Sequence, residues 1–170
     1  MSNYLVLTII SDDRAGIVEQ VAQTISKYHG NWMESSMARL AGKFAGILLV
    51  EIEASAQQSL EQDLAALSSQ GIKVTVEKSG PQTDDEAHIS CLEIVANDRS
   101  GIVGEISSLL AKNQVNLVSL ETFCESAPMS AGMMFYAHAY TQLPAGMNEE
   151  QLTQLLESLS DDLMVEVVEA

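Results

Sequence analysis

Two segments of this chain set an acid, a guanidinium and a glycine in the same order. Residues 12 to 18 read Asp12-Asp13-Arg14-Ala15-Gly16-Ile17-Val18, and residues 97 to 103 read Asn97-Asp98-Arg99-Ser100-Gly101-Ile102-Val103. Each glycine stands where a strand-like apolar run passes into a helical period, and the first turn of a helix leaves backbone N–H groups without partners. With no side chain on the glycine, a small anion can approach those amides, and the helix dipole favours a carboxylate there. An Asp or Asn beside them accepts hydrogen bonds from an ammonium group. The residue types are therefore complementary to both ends of an amino-acid zwitterion. The same residues also have a purely structural use, in which Asp13 and Asp98 cap helices, Gly16 and Gly101 let helix pack on sheet, and Arg14 and Arg99 are surface charges. Spacing alone leaves both uses open.

The two segments belong to a longer internal repeat. An offset of 85 carries Asp13 onto Asp98 and Asn31 onto Asn116; one residue of slippage later Ala45-Gly46-Ile47 lies over Ala131-Gly132-Met133, and Leu60, Leu64 and Leu67 match Leu152, Leu156 and Leu159. The chain is expected to divide into a first copy over 1–79, a linker over 80–86, and a second copy over 87–170. The linker stretch is acidic, rich in turn-formers and without periodicity.

Within the first copy, Leu5 to Ile10 is a short apolar run that predicts a buried strand. Ile17, Val18, Val21, Ala22 and Ile25 recur at helical spacing, with Asp13 as N-cap and Gly30-Asn31 as the stop. Trp32 to Leu40 and Phe44 to Glu53 flank Ala41-Gly42-Lys43, a hairpin with glycine in its turn. Leu60, Leu64 and Leu67 predict a second helix closed by Gly71, and Ile72, Val74 and Val76 alternate as in a half-buried strand. The second copy repeats the order: strand near 88–96, helix near 100–113, strands near 115–124 and 131–141, helix near 148–160, strand near 163–168. Each copy is βαββαβ. The fold class is α+β: two ferredoxin-like sandwiches, each an antiparallel sheet in the order 4-1-3-2 with both helices on one face. Cys91 and Cys124 then lie two strands apart, about 9.6 Å, beyond disulfide reach.

Composition narrows the function. The chain has 170 residues, 46% of them hydrophobic, with 24 acidic and 8 basic side chains and a net charge of −16. It is expected to fold, and the charge argues against direct contact with nucleic acid or an anionic membrane surface. The opening residues lack a positive segment and predict no secretory signal, and no apolar stretch approaches the roughly 20 residues that span a bilayer. The expected location is the cytoplasm.

Other uses of this fold fit poorly. Gly42-Lys43-Phe44-Ala45-Gly46 echoes the start of an RNA-recognition strand, but Ile47, Leu48, Leu49 and Val50 follow where stacking aromatics are needed. No Cys-x-x-Cys follows the first strand, as a metal carrier would require. His29, His88 and His138 have no ligand spacing, so no metal is expected, and no Ser, His and Asp set or phosphate loop points to catalysis. An acyl-phosphate hydrolase would use Arg14 or Arg99 on the anion, yet each sits beside an aspartate.

Two βαββαβ copies with Asp-Arg-x-Gly-Ile-Val at the first strand-to-helix junction, and an Asn just after the helix, resemble tandem ACT domains. The resemblance covers nearly the whole chain and is greatest to the tandem-ACT family of glycine cleavage system transcriptional repressors. It implies a non-enzymatic regulator without a cofactor, responsive to a small amino acid such as glycine. It also implies action through a LysR-type DNA-binding activator, and a homo-oligomer is possible. The ligand positions it implies are Asp13, Arg14, Ala15, Gly16, Ile17 and Asn31 in the first copy, and Asn97, Asp98, Arg99, Ser100, Gly101, Ile102 and Asn116 in the second.

The copies differ. Residues 1–80 carry 6 basic and 9 acidic side chains, and residues 81–170 carry 2 and 15, so the net charges are −3 and −13. Asn97 replaces Asp12 and Ser100 replaces Ala15, which makes the second loop the less negative and the expected primary site for a carboxylate. The acidic second copy is the expected surface for a basic protein partner, with the longer hairpin around Pro128 and Met129 a candidate contact. Met133 and Met134 are expected as core or interface filler, and Trp32 as a fluorescent reporter of the pocket. Two other functions remain open at this stage: a ligand-free dimerisation module pairing through its sheet edges, and the small acyl-phosphate hydrolase.

Overall fold

The computed structural model describes residues 1–81, 88–129 and 131–169. Two compact units result, Met1–Thr83 and Asp84–Ala170. The division falls outside the described residues, as does the expected linker from Gln82 onward.

The first unit runs β1 (Ser2–Asp12), α1 (Ile17–Lys27), β2 (Asn31–Leu40), β3 (Lys43–Glu53), α2 (Gln57–Ala66) with a 3-10 turn over Leu67–Gln70, and β4 (Lys73–Ser79). The second runs β5 (Ile89–Asn97), α3 (Ile102–Lys112), β6 (Asn116–Ser126), β7 (Met133–Gln142), α4 (Glu149–Glu157) and β8 (Met164–Val168). The sheets are ordered β2-β3-β1-β4 and β6-β7-β5-β8, antiparallel throughout, which is the expected order read from the opposite edge.

Each sheet has one dry face. Leu5, Leu7 and Ile9 alternate inward on β1, meet Leu48, Val50 and Ile52 of β3, and are covered by Ile17, Val21 and Ile25 of α1 and Leu60 and Leu64 of α2. The second core repeats the plan with Leu92, Ile94 and Ala96 under Ile102, Ile106, Leu110, Leu152 and Leu156. The run Leu5–Ile10 is consequently not buried on both faces: Ile10 is 46% exposed. An antiparallel sheet with helices on one side needs only alternate residues apolar, and the extra ones face outward.

Three local expectations change. Helix α1 begins at Ile17 behind Gly16, whose φ of 90° is left-handed, and no side chain caps it. Asp13 is not the N-cap, because its N–H still belongs to the sheet end and donates to the Gly42 carbonyl at 2.9 Å. At the other end α1 stops at Lys27, and the left-handed residue is His29 rather than Gly30. Gly30 is needed for close approach, since a Cβ there would lie 2.7 Å from Ile25 Cγ2.

Finally, Ile9 faces Gly46 while its repeat partner Ile94 faces Ala137, so the offset between copies moves from 85 in the first strand to 91 in the third. The counterpart of Phe44 is Phe135, and the second hairpin carries the six additional residues. The match of Ala45-Gly46-Ile47 to Ala131-Gly132-Met133 is therefore one of sequence and not of register. The first hairpin closes tightly, with Ala41 and Gly42 at φ 48° and 79°, the mirror-image turn that suits two-residue links.

Candidate functional site: the strand-to-helix loops

The loops after β1 and β5 have one geometry. Gly101 repeats Gly16, with φ 89° and ψ 0° against 90° and 2°. The Gly16 carbonyl accepts from Gln20 N–H and that of Gly101 from Glu105 N–H, both at 3.0 Å. Ile17 and Ile102 are buried and pin the first turn to the core. Asp98 N–H donates to Met133 O at 2.9 Å, as Asp13 does to Gly42. Each loop is thus clamped on one side by its hairpin and on the other by its helix, while Ala15 and Ser100 stay exposed.

The guanidiniums complete the clamp. Arg14 donates to Gln20 Oε1 at 3.4 Å and to the Gln70 carbonyl at 3.0 Å. Arg99 makes two bonds of 2.6 Å to the Glu105 carboxylate, the residue equivalent to Gln20. This hydrogen bonding holds Glu105 below and Arg99 above their ordinary values. Both arginines brace their loop, Arg14 to helix α1 and to the Gln70 carbonyl, Arg99 to helix α3.

Across the hairpin the loops diverge. Asp12 pairs with Lys43, whose hydrogen bond and charge lower its pKa, and Asp13 lies 3.5 Å from Arg39. In the second unit the place of Arg39 is taken by Cys124, each standing opposite its phenylalanine, Phe44 or Phe135. Desolvation, the Asp98 charge and a hydrogen bond to Asp98 raise the Cys124 thiol. Asn97 N–H donates to Asp162 at 2.9 Å, and bonds from Ser160 and that amide keep Asp162 low. The expectation that the second loop is the less negative is therefore reversed. Two cations reached across the first hairpin balance Asp12 and Asp13, whereas Asp162 adds a carboxylate to the second loop.

Access differs too. A Cβ on Gly101 would meet nothing within 4 Å, while one on Gly16 would lie 4.0 Å from Glu19 Oε2. Gly104 replaces Glu19, and an open groove of about 540 Å³ reaches Gly101 between Gly104, Glu105, Ser108 and Lys112. Sequence reading missed Gly104, although its alignment with Glu19 was visible at the same offset of 85.

Asn31 and Asn116 do not join the loops of their own units. Asn31 pairs with Glu51, level with Tyr4, whereas Asp12 ends β1 opposite Lys43. Eight residues of strand separate the two levels, about 27 Å. Asn116 pairs with Gln142, level with Ile89, at the same remove from Asn97. Trp32 shares the end occupied by Asn31, with Nε1 donating to Ser35 Oγ at 3.2 Å, and so is not beside the loop of its own unit.

Residues 3–77 match the family model of the ACT domain. The first unit is an ACT domain, the second repeats its βαββαβ order, and the chain is a tandem of two ACT-like units. No curated protein matches the chain. Among solved structures, an unknown protein from Galdieria sulphuraria is 26% identical with a TM-score of 0.83, over 99% of this chain and 100% of that one. A "putative glycine cleavage system transcriptional repressor" is 18% identical with a TM-score of 0.74, over 100% and 99% of the two chains. At that identity the likeness is one of fold.

Proposed function

We propose that this chain is a non-catalytic regulator that binds a small amino acid, glycine first, and controls transcription through a LysR-type DNA-binding partner. The observation that carries the reading is the duplicated loop: two left-handed glycines at helix starts, each fixed by a hairpin carbonyl and an arginine brace. Gly101 has the more open surroundings, and Asp98 beside it suits the ammonium of a zwitterion. The solved relative named as a glycine cleavage repressor has the same two-unit fold over its whole length. A net charge of −16 favours action through a basic protein over contact with DNA. Two free thiols suit the cytoplasm.

Because Asn31 and Asn116 lie far from the loops of their own units, neither asparagine shares a pocket with its own loop. Strands β2 and β6 are sheet edges of 10 and 11 residues, mostly exposed, and offer the pairing surface. These edges also favour a second reading, a dimerisation module with no ligand. Calorimetric titration with glycine and other small amino acids, run beside sedimentation with and without each, separates the two. Heat of binding at millimolar ligand or tighter, with a shift in assembly, supports the sensor. No heat with any amino acid overturns it.

A further inference from the structure

The helix-free face of the second sheet is built unlike that of the first. Cross-strand register aligns Met164, Val95, Tyr136 and Phe123 in one row over β8, β5, β7 and β6, and Glu166, Glu93, His138 and Glu121 in the next. The equivalent rows of the first sheet are Lys73, Ile10, Ala45 and Ala38, then Thr75, Thr8, Ile47 and Ser36. The fold therefore requires neither the aromatics nor the acids.

The aromatics are organised and accessible. Phe123 stacks on Tyr136 with ring centroids 5.0 Å apart and planes 9° from parallel, and His138 meets Phe123 edge-on at 6.4 Å. Phe123 is 45% and Met164 58% exposed. Beside this shelf Glu93 and Glu166 stand directly opposite each other, an arrangement of like charges that weakens a sheet. His138 Nε2 lies 3.6 Å from Glu93, and no Lys or Arg occurs on any of the four strands. A local rule broken without a gain inside the unit marks a surface selected for something outside it.

We propose that this face docks an arginine-bearing segment of a protein partner, the guanidinium lying on the Phe123–Tyr136 shelf and its charge met by Glu93, Glu121 and Glu166. A planar, weakly hydrated guanidinium stacks on aromatic rings better than an ammonium does. The aromatics that the first sheet lacks for RNA are present here, but the adjoining carboxylates repel phosphate. The inference rests on the reading that the chain acts through a protein.

The test is an amide chemical-shift titration of the full chain with a synthetic octapeptide alternating Gly and Arg. The controls are its Gly-Lys counterpart, an eight-nucleotide single-stranded RNA, and a dilution series without peptide. Saturable shifts at residues 93, 121, 136, 138 and 166 are expected, with at least fivefold weaker binding of the Lys peptide. Tyr136→Ala and Glu93→Gln should each lower affinity at least tenfold with an unchanged circular dichroism spectrum. Should Tyr136→Ala disturb the sheet, Phe123→Ala on the edge strand carries the same expectation. The proposal is overturned by no shifts at millimolar peptide, shifts mapping elsewhere, equal binding of the Lys peptide, preferential binding of the RNA, or self-association through the same residues. Amino-acid calorimetry on the same variants keeps the readings apart: a lost docking face with intact amino-acid binding removes only the face.

Discussion

Arg99 grips Glu105 with two hydrogen bonds of 2.6 Å, and its counterpart Arg14 reaches Gln20 from the same place in the first unit. One brace is charged at both ends and the other at one. Both tie the loop that precedes a left-handed glycine to the end of the first turn of the helix that follows it.

The charged brace should be sensitive to acid. Glu105 has a folded-state pKa below its ordinary value, so its contribution to stability is present above the unfolded carboxylate range and is lost as pH falls through the lowered value. Glu105→Gln recreates the arrangement of the first unit and should flatten that part of the acid limb with only a small change near neutral pH. Thermal melts of both proteins across the acid range check this, and an unchanged acid limb would show that the brace does not couple to folding.

Backbone conformation makes Gly101 hard to replace. Gly101→Ala forces an L residue to φ near 90° in open space, at a cost of about 1–2 kcal/mol from strain alone. Gly101→Val should in addition cover the amides and abolish amino-acid binding while the fold persists. Urea denaturation reports the first effect and calorimetry the second; full ligand response in the valine variant would remove this loop from the site.

A one-sided sheet predicts opposite outcomes for adjacent residues. Leu48 is 1% exposed and Ile47 55%. Leu48→Ala should cost about 2–5 kcal/mol through transfer and cavity terms, whereas Ile47→Thr should stay within about 0.5 kcal/mol, as for ordinary surface changes. Comparable losses in denaturant melts would mean that the outer face is covered.

The thiols should separate by reagent. Cys124 is exposed and Cys91 buried, so a disulfide-exchange reagent should modify one thiol in the native protein and two after denaturation. The raised pKa of Cys124 predicts slow reaction at neutral pH that accelerates toward alkaline pH. Asp98→Asn removes a nearby negative charge and should speed it. Stopped-flow labelling of the two proteins decides, and equal rates would mean that Asp98 does not act on the thiol.

Sequence by itself determined the repeat, the βαββαβ order and the strand order, because apolar periodicity records which residues must leave water. It also placed Gly16 and Gly101 at helix starts. It misassigned Asp13 as a cap, since a short side chain three residues too early cannot be told from one in place until the hairpin amide bond is known.

Only tertiary structure decided what stands across from what. Register depends on hairpin length, and the six additional residues of the second hairpin hid the match of Phe44 to Phe135. Register also carries Arg39 and Lys43 to the first loop and Cys124 to the second, sends Asn31 and Asn116 to the far ends of their sheets, and gathers Phe123, Tyr136 and three glutamates on one face. None of these pairs is near in sequence. Local periodicity reports which residues are buried, while electrostatic balance and shared surfaces are set by neighbours that only strand pairing supplies.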